Sequence, residues 1–460
     1  MAVSQSASSS SIEELPEEIR STILSSLPDL HSLAQAALSC RALNSAYKRY
    51  ESRVIKVLLI NYVGPEVLPE ADIVLRCCPP YPNSHVAEST PLSIKQANDI
   101  IDFNENFLRA LERPQLRSMK WTMHEALAMS NLHSVVREFT DRFIRNCSLS
   151  SYVQLEKSLH SQAPTPKERS RIMRALYRFE LFCRLSSGLD DRIFDCLPAF
   201  PSAFTPLEHA QLGCIHDFLA GEVIPAFNDV AKHDIVWAKY RVDFGCDMES
   251  PYVQQLLSLG LAELHKIATA QSYADRENIL CNGERPSGLR YSFLLMTLRD
   301  MNCISNDDDD TSEDEQESPP RSTPFYDDGD NGPQEIMNLH QEQTSIAIYE
   351  EMMWPFREWG YVMWDSARLH GLGVFESPLK IAEHHQENPA AVPISEMQKS
   401  WDARIDIYRR GGRGWWDEND DSHISWLCKK STLKSFLSLA QVPASLKEAK
   451  RILLRPPWGQ

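Results

Sequence analysis

What this chain lacks removes several classes of protein before any motif is considered. No apolar run approaches the roughly 20 residues a helix needs to cross a bilayer, and the opening MAVSQSASSS has neither the positive end nor the apolar centre of a secretion signal. The expectation is a protein without a membrane segment, working in the cytoplasm, the nucleus or both. Positive charge is short: 47 Lys and Arg face 64 Asp and Glu, a net charge of −17. Nucleic acid and anionic lipid carry the same sign, so non-specific binding to either is disfavoured. The 11 cysteines include no CxxC pair, and an odd number scattered over 460 residues makes no disulfide framework. Cys77 and Cys78 are adjacent, a spacing that seldom bridges, and nearby His85 adds no metal-ligand pattern. Reduced thiols, with no metal and no other cofactor, are expected.

The short strings that mark common enzymes are also missing. GxSxG, GxxxxGK[ST], HExxH and GxGxxG do not occur, and Gly371-Leu372-Gly373 lacks the third glycine and a preceding strand. Glu383-His384-His385 offers acid–base groups, but adjacent histidines point to different faces of a helix and seldom share a metal. Asp190, Asp191 and Asp195 have no companion that signals a cation site. The pattern points to a non-catalytic protein. An enzyme whose site assembles from distant residues, around His384 or His370, would leave no local string.

Alternating β-type runs are scarce, with Ile235 to Phe244 the best candidate, whereas helical spacing recurs. Ile172, Leu176, Phe179 and Phe182 form one such set; Leu256, Leu257, Leu261, Leu264 and Ile267 form another. Helix starts are marked by Thr90-Pro91, Thr165-Pro166 with Glu168, Thr205-Pro206 with Glu208, Ser250-Pro251 and Ser377-Pro378. Each puts a capping side chain before a proline whose missing N–H is harmless in the first turn, and two are complete capping boxes. No fixed period emerges, so propeller and leucine-rich repeats are excluded. The fold class that follows is all-α: a short N-terminal helical module over residues 11–60 after a disordered start at 1–10, then an irregular helical body.

Composition breaks over residues 302–332. From Ser305 to Gly332 there are 11 Asp or Glu against the single Arg321. Such a run cannot bury enough apolar surface to offset its ordering entropy, and like charges extend it. It reads as a disordered linker or loop between a helical body at 90–301 and a Trp-rich helical region at 333–460, or as an insertion in one domain whose halves pack together. Thr311 and Ser312 precede acids, and Ser318 and Thr323 precede prolines, so these four are candidate phosphorylation sites. The simpler reading is a solvated spacer with incidental hydroxyls.

The most informative segment is Leu15 to Tyr50, LPEEIRSTILSSLPDLHSLAQAALSCRALNSAYKRY. Ile19, Ile23, Leu24 and Leu27 line one face of a helix. Its start is marked either by a Ser11–Glu14 capping box or by Pro16 in the first turn, and Pro28-Asp29 is expected to end it. Leu30, Leu33, Ala37 and Leu38 form a second apolar set ahead of Cys40-Arg41, and Leu43, Tyr47 and the run Val54 to Ile60 a third. The order Leu-Pro, an acidic pair, Ile, Ile-Leu, Leu and then Cys-Arg resembles an F-box, the helical module that docks on Skp1. The wider chain is similar in general layout to long fungal-type F-box proteins.

That resemblance implies a substrate-recognition subunit of an SCF-type ubiquitin ligase, joined through Skp1 to a cullin, doing no bond chemistry itself. It implies that Leu15, Pro16, Ile19, Ile23, Leu24, Leu27, Leu30, Leu33, Cys40 and Arg41 include the Skp1-facing or module-packing positions. An F-box-like helical scaffold acting outside a ligase is the alternative. The substrate protein would sit on the helical body. Trp354, Trp359 and Trp364 read as core, while Arg409, Arg410, Arg413, Trp415 and Trp416, in the string RRGGRGWW, are candidate substrate contacts through guanidinium pairs and stacking. The same string also reads as a glycine turn ending a helix from Ile405 to Arg410.

Overall fold

The structure is a computed structural model, which describes residues 12–78, 94–111, 115–149, 163–186, 200, 203–240, 250–282, 294, 298, 323–344, 353–375 and 394–426. Among these residues there are fifteen α-helices and one two-stranded antiparallel sheet, so the protein is mainly α. The chain divides into two compact units, residues 1–226 with 245–391 and residues 227–244 with 392–460. The division does not follow the acidic run. Residues 1–11 and 301–322, the Thr90 and Ser377 helix starts, the aspartates at 190, 191 and 195, and Glu383 to His385 lie outside the described residues.

The first unit begins with a 3-10 turn, Ile12–Glu14, then α1 (Glu17–Ser25), α2 (Leu30–Ser39) and α3 (Arg41–Val63). Pro16 is the cap of α1, its carbonyl accepting the N–H groups of Ile19 and Arg20 at 3.1 Å each. That matches the reading with proline at the helix start. The helix stops at Ser25, short of Pro28-Asp29, where the Ser26 N–H turns back to the Thr22 and Ile23 carbonyls. Asp29 instead starts α2: its carboxylate accepts the Ser32 N–H at 2.7 Å and the Ser32 hydroxyl at 2.9 Å, which hold its pKa below the usual carboxylate range. The third helix kinks at Tyr50. Before the kink it packs on α1, with Arg49 and Ser45 donating to Glu17; beyond it, Val54, Ile55, Leu58, Leu59 and Val63 enter the main core.

Eleven further helices among the described residues complete this unit, α8 only as far as Ala226: α4 (Leu68–Arg76), α5 (Ile94–Arg109), α6 (Met123–Leu149), α7 (Pro166–Leu185), α8 (Pro206–His233), α9 (Pro251–Leu257), α10 (Leu261–Thr269), α11 (Tyr273–Asn282), α12 (Gly332–Thr344), α13 (Trp354–Trp359) and α14 (Ser366–Gly371). Both expected capping boxes form. The Thr165 and Thr205 N–H groups donate to the carboxylates of Glu168 and Glu208, whose own N–H groups donate back to the threonine hydroxyls. Around α6, α7 and α8 the rings of Phe139, Phe143, Phe179, Phe182 and Phe218 are buried with Trp359 and Trp364. The two tryptophans are core residues of this unit, and the Trp364 indole N–H donates to the Trp359 carbonyl at 3.0 Å.

The segment from Leu256 to Ile267 is two helices rather than one. Gly260 sits at φ +84° between α9 and α10, and the Leu261 N–H donates to the buried Glu180 carboxylate at 2.9 Å. A Cβ on Gly260 would lie 2.9 Å from that same carboxylate. Glycine is required here both for the backbone angle and for the approach of Glu180. Gly260→Ala should destabilise the fold by about 1–3 kcal/mol, read as a lowered urea midpoint; an unchanged midpoint would show that the break can be rebuilt.

The second unit takes the end of α8 from Phe227, a 3-10 turn at Trp237–Tyr240, α15 (Ile394–Arg409) and the hairpin β1 (Gly412–Gly414) and β2 (Ile424–Trp426). Ile235 to Phe244, the expected strand, is no strand where described: Asp234 makes an isolated bridge to Trp415, and Asp234 then accepts the Trp237 N–H to close the 3-10 turn. Arg404 of α15 is buried and donates to the Asp234 carbonyl at 2.7 Å, and the Trp401 indole donates to the Ala238 carbonyl at 2.7 Å.

Candidate functional site

The residues implied in Skp1 docking fall into two groups. Leu24, Leu30 and Leu33 are 0–1% exposed and hold α1 and α2 against the core. Leu15, Ile23, Leu27 and Cys40 are half-buried, while Pro16, Ile19 and Arg41 are exposed. Among the described residues the exposed large apolar side chains are Ile12 (37%), Ile19 (49%), Leu38 (82%) and Trp426 (55%). Three of these four belong to the first 38 residues. Leu38, expected on the apolar face with Leu30, Leu33 and Ala37, points to solvent because it follows Ala37 by one position, about 100° around the helix. The exposed isoleucines stand among Glu13, Glu14 and Glu18, also exposed, so this face is apolar with an acidic edge.

The Arg–Trp string forms a hairpin. Gly411, at φ +98°, turns the chain out of α15, and Gly412 to Gly414 pairs with Ile424 to Trp426. Arg409 and Arg410 are exposed, while Arg413, Trp415 and Trp416 are half-buried. The guanidinium of Arg413 lies 4.0 Å over the Tyr408 ring, and Arg410 lies 5.8 Å over the exposed Trp426. Trp415 is stacked on His233 at 4.8 Å, and the Trp416 indole donates to Asp421. Most of the string is therefore occupied within its own unit. Arg409 and Arg410 are its most exposed members, with Trp426 exposed on the paired strand. His370, the other histidine raised for chemistry, is exposed at the end of α14 with its ring 4.6 Å from Phe375.

The sequence reading missed a stripe of buried charge along α7. Glu168, Arg171, Arg174 and Arg178 recur at spacings of three, three and four, and none exceeds 3% exposure. Their partners arrive from far along the chain. Glu168 accepts from Arg368 at 2.8 Å and from the Asp365 N–H at 3.0 Å. Arg171 donates to Asp328, Asp365 and the Met363 carbonyl. Arg178 donates to Glu208 at 3.0 Å and Gln211 at 2.9 Å. The spacing was visible, but charges at helical period ordinarily mark a solvated face.

One group in this stripe is poorly served. Glu70 of α4 is buried 3.7 Å from Arg174 and 3.9 Å from Arg178, and among the described residues neither of its oxygens has a hydrogen-bond partner on another residue. Burial pushes its pKa up to about 7 despite the two arginines, and Glu208 adds to the rise. Buried His209, near Arg178, is pushed down to about 3 by burial and stays neutral. The thiols of Cys147 and Cys214 are pushed up by burial, and Cys77 rises to about 12, so none of the three is a ready nucleophile. Among the described residues no cluster of three or more His, Cys, Asp or Glu could hold a metal ion, and no helix is long and apolar enough to cross a membrane. Comparisons with family models, with curated proteins and with solved structures found no match to this chain.

The raised pKa of Glu70 fixes a sign. Folded protein keeps the proton between about pH 4.5 and 7 while unfolded protein has lost it, so this group's contribution to stability falls as pH rises through that window. Glu70→Gln should match the parent at pH 4 and exceed it at pH 8 by roughly 1–3 kcal/mol in urea unfolding. A variant less stable than the parent at pH 8 would mean that the ionised Glu70–Arg174 pair is net stabilising.

Proposed function

We propose that the chain is an adaptor of the F-box kind, the substrate-recognition subunit of an SCF-type ubiquitin ligase. Its N-terminal module binds Skp1, and through Skp1 a cullin, while the helical body holds a substrate protein. The observation that carries the reading is the concentration of exposed apolar side chains, Ile12, Ile19 and Leu38, on a module whose buried leucines already satisfy its own packing. Water-exposed aliphatics that no described residue covers mark a docking surface, and one of them, Ile19, is among the positions the F-box resemblance implies in docking. The task is one of proximity: a held substrate presents its lysines to the transfer enzyme at raised effective concentration.

A second reading has an observation of its own. Helices α2 and α3 pack on α6, and the Lys56 ammonium donates to the Arg117 carbonyl, so the module is built into the body rather than carried on a linker. This favours a structural, F-box-like scaffold acting outside a ligase.

The two readings separate on the exposed residues. Leu24 is unsuitable as a probe, because a carboxylate at a fully buried position would break the module whatever its partner. Ile19→Asp with Leu38→Asp leaves the buried set untouched. The expected result is loss of co-purified Skp1 and cullin at an unchanged melting temperature. Full recovery of Skp1 by the double variant, or absence of Skp1 with the parent chain, would favour the scaffold.

A further inference from the structure

Two buried arginines of α7 are neutralised by a segment that has no regular structure. Residues 323–331 run up to α12 without helix or strand, and side chains hold them in place. One oxygen of Asp328 accepts from Arg171 Nε at 3.1 Å, Arg171 Nη2 at 2.8 Å and Arg174 Nη2 at 3.3 Å. The Tyr326 ring lies over the Arg174 guanidinium at 4.4 Å. Phe325 is buried, and its N–H donates to Glu208 at 2.9 Å. Four consecutive residues therefore supply an aromatic anchor, a ring over a cation and a carboxylate on a guanidinium pair. Linear acidic peptides are recognised by the same chemistry.

We propose that Arg171 and Arg174 form a carboxylate-binding slot which Phe325 to Asp328 fill as an internal ligand, and which takes an acidic, aromatic-flanked peptide segment of a partner protein in exchange. An empty slot would leave Arg171 with Asp365 alone as counter-charge and Arg174 with Glu70 at 3.7 Å, one carboxylate short for two buried guanidinium groups, so departure of Asp328 is coupled to arrival of another anion. The internal ligand is held by charge-assisted bonds and one buried ring, without a backbone ladder, so its release is a local opening and not global unfolding. Tethering in the same chain gives it an effective concentration on the order of millimolar. A partner peptide is then a weak competitor against the intact chain and a much stronger one when the internal carboxylate is lost. This inference does not rest on the N-terminal docking reading, and absence of Skp1 binding would leave it standing.

The test uses the full chain and a fluorescent peptide with the sequence of residues 323–331, TPFYDDGDN. Asp328→Asn keeps the shape of the internal segment and removes its charge. The expected result is at least tenfold tighter peptide binding by this variant than by the parent, lost when the peptide itself carries asparagine at the position of Asp328. A folded Asp328→Asn chain that binds the peptide no better than the parent would overturn the proposal. Hydrogen exchange on the unmodified chain gives a second reading that needs no variant. Amides from Phe325 to Asn331 should exchange at least tenfold faster than those of α7, and faster still with excess peptide; protection equal to that of α7 would also overturn it.

Discussion

The guanidinium stripe of α7 is the constraint on which the rest of the first unit depends. Three arginines buried on one helix face cost more than any apolar packing nearby recovers unless each finds an acceptor. Those acceptors come from the start of α8, the stretch before α12 and the turn before α14. Meeting them brings together segments as much as 194 residues apart in sequence, as between Arg171 and Asp365. Leucines of similar volume in place of the ion pairs would avoid the desolvation cost, but they would lose the directional requirement that each segment arrive in one register. Here the charges specify arrangement as much as they stabilise it.

Local signals in the sequence translated directly into structure. Thr165 and Thr205 cap their helices because the capping partner lies three residues away, and the boxes hold although Glu168 and Glu208 also accept from distant Arg368 and Arg178. Thr122 and Glu125 make the same reciprocal pair ahead of α6 and were just as readable. Pro16 and the packing of Ile172, Leu176, Phe179 and Phe182 followed from the same short-range rules. Errors arose where two local rules pointed to one place. Asp29 after Pro28 carries the marks of a stop, yet its carboxylate caps the following helix. Continuous apolar spacing concealed the break at Gly260, whose cause is Glu180, 80 residues upstream.

The charge stripe and the hairpin were not legible for a different reason. A charged residue at helical period has solvent as its default neighbour, and only knowledge of Asp328, Asp365 and Glu208 in space converts the pattern into a buried network. The Arg–Trp string likewise depends on partners outside itself: His233 stacks on Trp415, and the His233 carbonyl accepts the Trp416 N–H at 3.0 Å. By composition the acidic run extends to Gly332. Its last residues, Phe325 to Gly332, are instead built into the first unit, because a phenylalanine and a well-placed aspartate can offset the ordering cost that the acids upstream cannot.

Exposure and burial in the N-terminal module separate two demands that one apolar pattern had merged. Leu24, Leu30 and Leu33 satisfy the fold; Ile12, Ile19 and Leu38 satisfy nothing within the described residues that removes them from water. The third helix joins these demands, since its first half supports α1 and its second half enters the main core beyond the kink at Tyr50. A partner seated on Ile19 of α1 would therefore press on the first half of α3, a helix continuous with the body. On the proposed reading, docking at the exposed face and the position of the body would be mechanically linked by α3 in a way that a module on a flexible linker would not allow, and a substrate held by the body would keep a fixed relation to whatever the module binds.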